Sequence, residues 1–389
     1  MELSRKMARL GTETAFAALA KAQALEAKGA NLVHLEIGEP GFDTSENICG
    51  AGARAIGEGF THYSASQGIV PLRAEIAKHI EKTRGVSIDP ENVVVTPGGK
   101  PIMFYSILAL LEEGDEAIYP NPGFPIYESM INFTGAKPVP IPLREELDFR
   151  LDVNELESKL TPRTKLIIIN SPHNPTGSIL EEDDIRAISG LAQKHDIFVL
   201  SDEIYDRIVY DGKPCSILSL PGMMDRTILL NGFSKTYAMG GWRLGYGIVP
   251  PGLVEPIVRL IVNSVSCTAT FIQYAGIEAL TGPQDSVRIM VEEFKRRRDL
   301  IVAGLNEIPG ISCLSPRGAF YVFPNVKKLG MDCKILADYL LREGGVVTLA
   351  GTDFGEYGEG YIRLSYGTSL ENIRKALDRI NTAVAKLKV

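Results

Sequence analysis

Short apolar runs alternate with longer amphipathic stretches through the middle of the chain. The runs predicted as strands are NVVV (92–95), EAIY (116–119), KLIIIN (165–170), IFVLSD (197–202), TILLN (227–231) and LGYGIV (244–249). A helix is predicted between the first two runs, over 101–113. Runs such as LIII are apolar on both faces, which is typical of strands that helices cover on each side. The alternation therefore predicts an α/β fold, with a mostly parallel sheet in a three-layer large domain.

The pattern changes after about residue 281. A long charged amphipathic helix that begins VRIMVEEF is followed by the short strands GAFYVFP, VVTLAG and YIRLSYG and by a closing helix. This order of elements is typical of a smaller α+β domain. We therefore predict an N-terminal arm over 1–30, a large domain over 31–281 and a small C-terminal domain over 282–389.

The composition is that of a globular protein. Of the 389 residues, 45 % are hydrophobic and 23 % are charged, which excludes a disordered or collagen-like chain. The net charge of −7 argues against a nucleic-acid partner. The longest apolar runs, such as that at 104–111, are shorter than the ~20 residues that span a bilayer, and we expect no membrane partner. Five scattered cysteines without a CxxC pair indicate a reducing compartment, so we expect a cytoplasmic location.

Several common catalytic motifs are incomplete in this sequence. GGK at 98–100 lacks both the earlier glycine and the following Ser or Thr of an NTPase phosphate loop. No GxGxxG follows an early strand, and GFSKT at 232–236 lacks the final glycine of GxSxG. The five histidines show no HExxH or comparable spacing, so we expect no metal site.

Four motifs of unusual composition remain. NSPHNPTG (170–177), SDEIYD (201–206) and NGFSKTYAMGGWRLGY (231–246) each come at the end of a predicted strand, and RLSYG (363–367) lies in the predicted small domain. Each motif alone also fits a turn or a helix cap. Because open α/β sheets bind ligands at the carboxyl ends of their strands, the four together indicate one ligand site.

In this order the motifs resemble those of the class I pyridoxal-phosphate aminotransferases of fold type I. The resemblance extends from LEIGEPGFDT (35–44) to RLSYG. It implies a large domain that binds pyridoxal 5′-phosphate and a smaller α+β domain. Ser45 stands where relatives usually have proline, and Phe124 stands where many have tyrosine or tryptophan.

The resemblance implies that Lys235, Asp202 and Tyr205 are catalytic. Lys235 would hold the cofactor aldehyde as an imine and then move the substrate Cα proton. Asp202 would pair with the ring nitrogen, and a carboxylate after four apolar residues needs such a partner. Tyr205 and Asn174 would hydrogen-bond the ring oxygen, and Phe124 would stack on the ring. The alternatives are a helix cap for Asp202 and an ordinary core position for Phe124.

The cofactor phosphate needs amides and cations. The backbone N–H groups of Gly99 and Lys100, at the start of the predicted helix, would supply amides and the helix dipole. Arg243 would supply a fixed charge, and Ser234 a hydroxyl. Tyr63 resembles the family tyrosine that reaches the phosphate of the neighbouring subunit, which implies a homodimer with shared active sites.

Arg363 matches the family arginine that clamps the substrate α-carboxylate through two parallel hydrogen bonds. Gly38 and Asn174 would add further substrate contacts. The resemblance therefore implies an aminotransferase that moves the amino group of an L-amino acid to a 2-oxo acid, with 2-oxoglutarate as the expected acceptor. A pyridoxal-phosphate C–S β-lyase on the same scaffold remains the alternative.

The preferred amino donor stays open at the level of sequence. The segment at 263–271, which lies near the site of the partner subunit in relatives, contains no Arg or Lys for a distal carboxylate. Thr14 and Phe16 in the N-terminal arm give mixed indications. Aspartate, alanine and aromatic amino acids all remain candidates.

Overall fold

The computed structural model describes residues 3–387. Its strands are β1 (Val33–His34), β2 (Val93–Thr96), β3 (Glu116–Asn121), β4 (Lys137–Pro142), β5 (Thr164–Asn170), β6 (Phe198–Asp202), β7 (Thr227–Gly232), β8 (Gly245–Ile248), β9 (Tyr321–Val322), β10 (Val346–Val347), β11 (Leu349–Ala350) and β12 (Ile362–Ser365). Its α-helices are α1 (Thr14–Glu26), α2 (Glu46–Gly57), α3 (Val70–Arg84), α4 (Lys100–Leu110), α5 (Ile126–Thr134), α6 (Val153–Lys159), α7 (Glu182–Lys194), α8 (Pro251–Val262), α9 (Thr270–Thr281), α10 (Asp285–Asn306), α11 (Cys333–Tyr339) and α12 (Leu370–Ala385).

The central sheet has seven strands in the order β2-β8-β7-β6-β5-β3-β4. Strand β8 runs antiparallel to both of its neighbours, and the remaining pairs are parallel. The predicted mostly parallel sheet is therefore confirmed. The edge strand β4 was not predicted, because its sequence KPVPIP contains three prolines. Proline cannot donate to a sheet ladder and is tolerated at an edge, and β4 pairs with β3 alone.

Strand β5 explains why its sequence is apolar on both faces. Successive side chains of a strand point to opposite faces of the sheet. Ile167 and Ile169 belong to the core that α7 covers through Ile185. Leu166 and Ile168 belong to the core on the other face, which α4 and α8 cover. Helices on both sides make the three layers that the sequence predicted.

The C-terminal part of the chain builds a second, smaller assembly. Strands β11, β12 and β9 form an antiparallel sheet, and the 22-residue helix α10 packs beside α12 over a separate core. Strand β1 joins this part, since Val33 pairs in parallel with Val346 of β10. The division into 1–30, 31–281 and 282–389 stays a prediction, and its outermost positions 1–2 and 388–389 lie outside the described residues.

The register of the large sheet brings three predicted motifs to one edge. Asn170 ends β5 directly opposite Asp202, which ends β6, and Gly232 ends the neighbouring strand β7.

Across residues 3–387, none of the helices combines the length and the apolar character that crossing a bilayer requires. Within the same residues, no group of three or more His, Cys, Asp and Glu side chains is arranged to hold a metal ion.

Candidate active site

A cavity of about 470 Å³ opens at the carboxyl edge of the large sheet. Its walls come from the sheet, from the N-terminal helix α1 and from the C-terminal part of the chain. All of the predicted site residues except Tyr63 line it: Gly38, Gly99, Lys100, Phe124, Asn174, Asp202, Tyr205, Ser234, Lys235, Arg243 and Arg363. Tyr63 lies elsewhere on the surface and is 91 % exposed. The structure thus brings the motifs together, while the individual roles remain predictions.

Asp202 is a buried carboxylate at the end of β6, with 8 % of its surface exposed. The hydroxyl of Tyr127 donates to Asp202 Oδ2 at 2.7 Å, and the N–H of Ile204 donates to Oδ1 at 3.2 Å. Burial raises the pKa of Asp202 to about 6, although these two donors and the charge of Lys235 act in the opposite direction. A cationic or N–H partner in the cavity would stabilise the charged form of this buried carboxylate.

Lys235 follows β7 by three residues and extends into the same cavity. Its ammonium donates to the carbonyl oxygen of Gly38. Nζ lies 5.9 Å from the ring centroid of Tyr205 and 5.7 Å from that of Phe320. Burial lowers the pKa of Lys235 to about 8, against the opposing charges of nearby carboxylates. A larger neutral fraction of the amine is therefore present near neutral pH than a solvated lysine would have, as a nucleophile or general base requires.

Hydrogen bonds between uncharged groups hold the loops around Asp202 and Lys235. The N–H of Asn174 donates to Asn170 Oδ1, and Asn170 Nδ2 donates to the carbonyl oxygen of Asp202, both at 2.9 Å. The hydroxyls of Tyr205 and Tyr321 lie 2.7 Å apart, within hydrogen-bonding distance. The segment after β5, the segment after β6 and the C-terminal part of the chain are therefore connected through the site.

A buried ion-pair network holds the loop that follows β6. Arg84 of α3 donates to Glu203 Oε2 at 2.9 Å and to Asp206 Oδ2 at 2.5 Å. The hydroxyls of Ser201 and Ser216 donate to Glu203 Oε1 at 3.1 and 2.5 Å. Glu203 and Asp206 flank the segment that carries Tyr205, so this network fixes the direction in which the motif SDEIYD faces the cavity.

Arg363 projects from β12 and is 3 % exposed. Its guanidinium donates to Asn174 Oδ1 at 3.2 Å and to the carbonyl oxygen of Glu36. It lies over the rings of Tyr321 and Phe354, at 4.6 and 4.8 Å from their centroids. Its Nε is buried with no acceptor. Within residues 3–387, no carboxylate lies close enough to the Arg363 guanidinium to form a salt bridge. Because a buried charge without a counter-ion is costly, this group is suited to a carboxylate ligand.

The start of α4 lies beside Arg243 at one end of the cavity. Gly98 adopts a positive φ of +88°, and a Cβ added there would lie 2.8 Å from Arg243 Cζ. Only glycine lets the guanidinium approach the backbone this closely. Gly99 precedes the first residue of the helix, and the buried hydroxyl of Ser234 lines the same cavity. Helix N–H groups, a cation and a hydroxyl are the donors that a phosphate group requires.

Phe124 and Lys100 form another part of the cavity wall. The ring of Phe124 packs edge to face against Tyr127, with centroids 5.7 Å apart. Lys100 Nζ lies 5.3 Å from the centroid of Phe124 and forms an ion pair with Glu13. The sequence predicted a backbone role for Lys100, and the structure shows that its side chain also faces the cavity.

The family model of the aminotransferases of class I and II matches residues 30–380. The chain belongs to this family. As an aminotransferase it is an enzyme that transfers amino groups, and its fold is that of the fold type I members. The aromatic-amino-acid aminotransferase 2 of Thermococcus litoralis is 41 % identical over 92 % of this chain and 93 % of its own length.

Two further aminotransferases show the same likeness. The aspartate aminotransferase of Pyrococcus abyssi is 40 % identical over 92 % of this chain and 93 % of that relative. The solved structure of the aspartate aminotransferase from Thermus thermophilus with maleate superimposes with a TM-score of 0.95 at 36 % identity, covering 98 % of this chain and 100 % of that structure. These relatives favour transamination over the C–S β-lyase alternative.

Several side chains that line the cavity of this aminotransferase were not predicted. Tyr127, Asn170 and Tyr321 contact predicted residues, and Glu13 reaches the cavity from the N-terminal arm. Asn170 stands in the motif NSPHNPTG and could have been included on that ground. Tyr321 lies in the apolar strand sequence GAFYVF, where a tyrosine has the pattern of a core residue, and no sequence signal marks it.

Proposed function

We propose that this aminotransferase holds pyridoxal 5′-phosphate in the cavity and moves the amino group of an L-amino acid to a 2-oxo acid, with 2-oxoglutarate as acceptor. The observation that supports this most strongly is the presence of three buried groups around one cavity. They are the Lys235 amine, the Asp202 carboxylate and the Arg363 guanidinium with its unpartnered Nε. An amine, a carboxylate and a carboxylate-binding arginine are the groups that amino-acid chemistry on this cofactor needs.

The residues of the cavity fit the cofactor. Asp202 is a buried carboxylate that would pair with the protonated ring nitrogen. Tyr205 and Asn174 would bind the ring oxygen, and Phe124 offers a flat ring face. The amides at Gly99 and Lys100, with Ser234 and Arg243, would hold the phosphate dianion. When bound, pyridoxal 5′-phosphate supplies an aldehyde that captures the amine nitrogen and a ring that accepts electrons.

The chain's own residues would bind the substrate and move the proton. Lys235, with its lowered pKa, would take the proton from substrate Cα and return one on the cofactor side. Arg363 would fix the α-carboxylate through two parallel bonds and so orient Cα toward Lys235. Burial of both groups excludes water, which strengthens these interactions.

We also propose a homodimer in which Tyr63 completes the site of the partner. The loop that carries Tyr63 rests on α9, where the hydroxyl of Thr270 donates to the carbonyl oxygen of His62 at 2.6 Å. Tyr63 is 91 % exposed, and Val70 and Val262 are exposed as well. Large exposed apolar side chains favour a contact surface for a second copy.

The five cysteines are unpaired, which supports a cytoplasmic location.

The function is tested with purified protein and pyridoxal 5′-phosphate, 2-oxoglutarate and a panel of aspartate, alanine and phenylalanine. We expect glutamate to form in equal amount to the new 2-oxo acid, with no ammonia. Lys235→Ala should lower the rate by about 1,000-fold, whereas the exposed Lys328→Ala should not. Release of ammonia, or an active Lys235→Ala variant, would contradict the proposal.

Arg363→Lys tests the carboxylate clamp. Lysine keeps the charge but cannot make two parallel hydrogen bonds. Because a hydrogen bond to a charged group contributes roughly 1.5–3 kcal/mol, we expect kcat/KM for amino acids and 2-oxo acids to fall about 100-fold, with cofactor affinity almost unchanged. Arg342→Lys, an exposed change, serves as the control. An equal loss for an amine without a carboxylate would show that Arg363 supports the fold instead.

The shared site is tested by mixing Tyr63→Ala protein with Lys235→Ala protein. A mixed dimer has one complete site, in which the intact Tyr63 of one chain serves the intact Lys235 of the other. Random pairing of two such chains restores about a quarter of the wild-type sites. We expect the refolded mixture to regain activity in that range. Activity no greater than the mean of the two parents, or a fully active monomer in light scattering, would refute the shared site.

A further inference from the structure

Glu13 places a carboxylate of the N-terminal arm inside the active-site cavity. It immediately precedes α1, and it lines the cavity together with Phe16 of that helix. Its side chain is 23 % exposed and forms an ion pair with Lys100. Lys100 Nζ also lies 5.7 Å from the ring centroid of Phe16 and 5.3 Å from that of Phe124. The only counter-ion that the described residues offer to the Lys100 ammonium is therefore supplied by the arm.

The charge of Glu13 reaches the groups that would handle the substrate. Burial lowers the pKa of Lys235 and of Arg363, and the negative charge of Glu13 opposes that shift at both residues. Glu13 thus belongs electrostatically to the same cavity as the amine and the guanidinium. A charge in this place affects any substrate side chain that extends from the α-carbon toward Phe124 and the arm.

We propose that Glu13 determines substrate specificity: by occupying the Lys100 ammonium, it disfavours substrates with a second carboxylate relative to substrates with neutral side chains. This inference rests on the proposed function. A second carboxylate must either displace Glu13 from Lys100 or lie beside a like charge, and both cost binding free energy. An apolar or aromatic side chain meets the rings of Phe16 and Phe124 and displaces no ion pair.

The same cost applies to the acceptor, because 2-oxoglutarate carries a second carboxylate and pyruvate does not. Glu13 stands at the end of a helix near the surface, so exchange of its carboxylate for that of a substrate requires no change in the sheet. Dicarboxylates are therefore bound, at an affinity that the Glu13–Lys100 pair reduces. Discrimination by an added unfavourable charge is a common source of specificity.

The test uses the holoenzyme and its Glu13→Gln variant, which keeps the shape of the side chain and removes the charge. We expect the ratio of kcat/KM for aspartate to that for phenylalanine to rise about tenfold, since a charge-assisted bond to Lys100 becomes available. The ratio for 2-oxoglutarate over pyruvate should rise in the same direction. Calorimetric titration with succinate should show an affinity increase of about tenfold, and titration with butyrate, which has one carboxylate, should show none.

Two further variants separate this mechanism from loosening of the arm. In a Lys100→Gln background, Glu13→Gln should no longer favour succinate, because the freed ammonium is absent. Asp338→Asn breaks the ion pair between Lys21 of α1 and the C-terminal part of the chain, and it should leave both ratios unchanged.

An unchanged ratio and unchanged succinate affinity in Glu13→Gln would overturn the inference, as would an equal effect of Asp338→Asn. The succinate titration needs no turnover. If the wild type transferred no amino group from any donor, the proposed function would fail, and the titration would still report on Glu13 separately.

Discussion

Burial of Lys235, Asp202 and Arg363 around one cavity removes these groups from the water that would otherwise solvate their charges. The pKa of the amine is lowered to about 8 and that of the carboxylate is raised to about 6 for the same reason. In both cases the charged form is disfavoured by a poorly solvated environment. The protein stabilises these groups mainly with neutral partners, such as the Tyr127 hydroxyl and the Gly38 carbonyl. The Arg363 guanidinium, whose Nε has no acceptor, suits the cavity to a charged ligand.

The rest of the fold keeps these groups in place. The parallel register of β5 and β6 sets Asn170 beside Asp202, and the side chain of Asn170 then bonds both flanking loops. Behind the sheet edge, Arg84 and its two carboxylates fix the loop after β6. Arg363 belongs to β12, a strand of a different sheet. The arrangement of the cavity therefore depends on the packing of the C-terminal part against the large sheet. A buried ion pair is weak evidence for stability, and what the Arg84 network shows here is a link between α3 and the loop after β6.

Much of this arrangement could be predicted because strand ends are marked in the sequence. Apolar runs that end in Asn170, Asp202 and Asn231 indicated the edge of the sheet at which the cavity lies, since parallel strands present their carboxyl ends at one edge. Tyr321 and Glu13 could not be predicted, because their neighbours are distant in sequence and their own segments have ordinary patterns. Strand β4 was not predicted because of its prolines, which a strand tolerates only at the edge of a sheet. The predicted role of Tyr63 involves a second copy of the chain, so it stays a prediction.

The most direct test of this account is the titration of Lys235 in the cofactor-free protein. Lysine labelled with ¹³C at Cε can be followed by NMR, with the Lys235 signal assigned by its loss in Lys235→Met. Because burial disfavours the ammonium, we expect this signal to titrate with a pKa of about 8, below the ordinary lysine value of 10.5. Titration of Lys235 at the ordinary lysine value of 10.5 would show that the amine is solvated and would contradict the account.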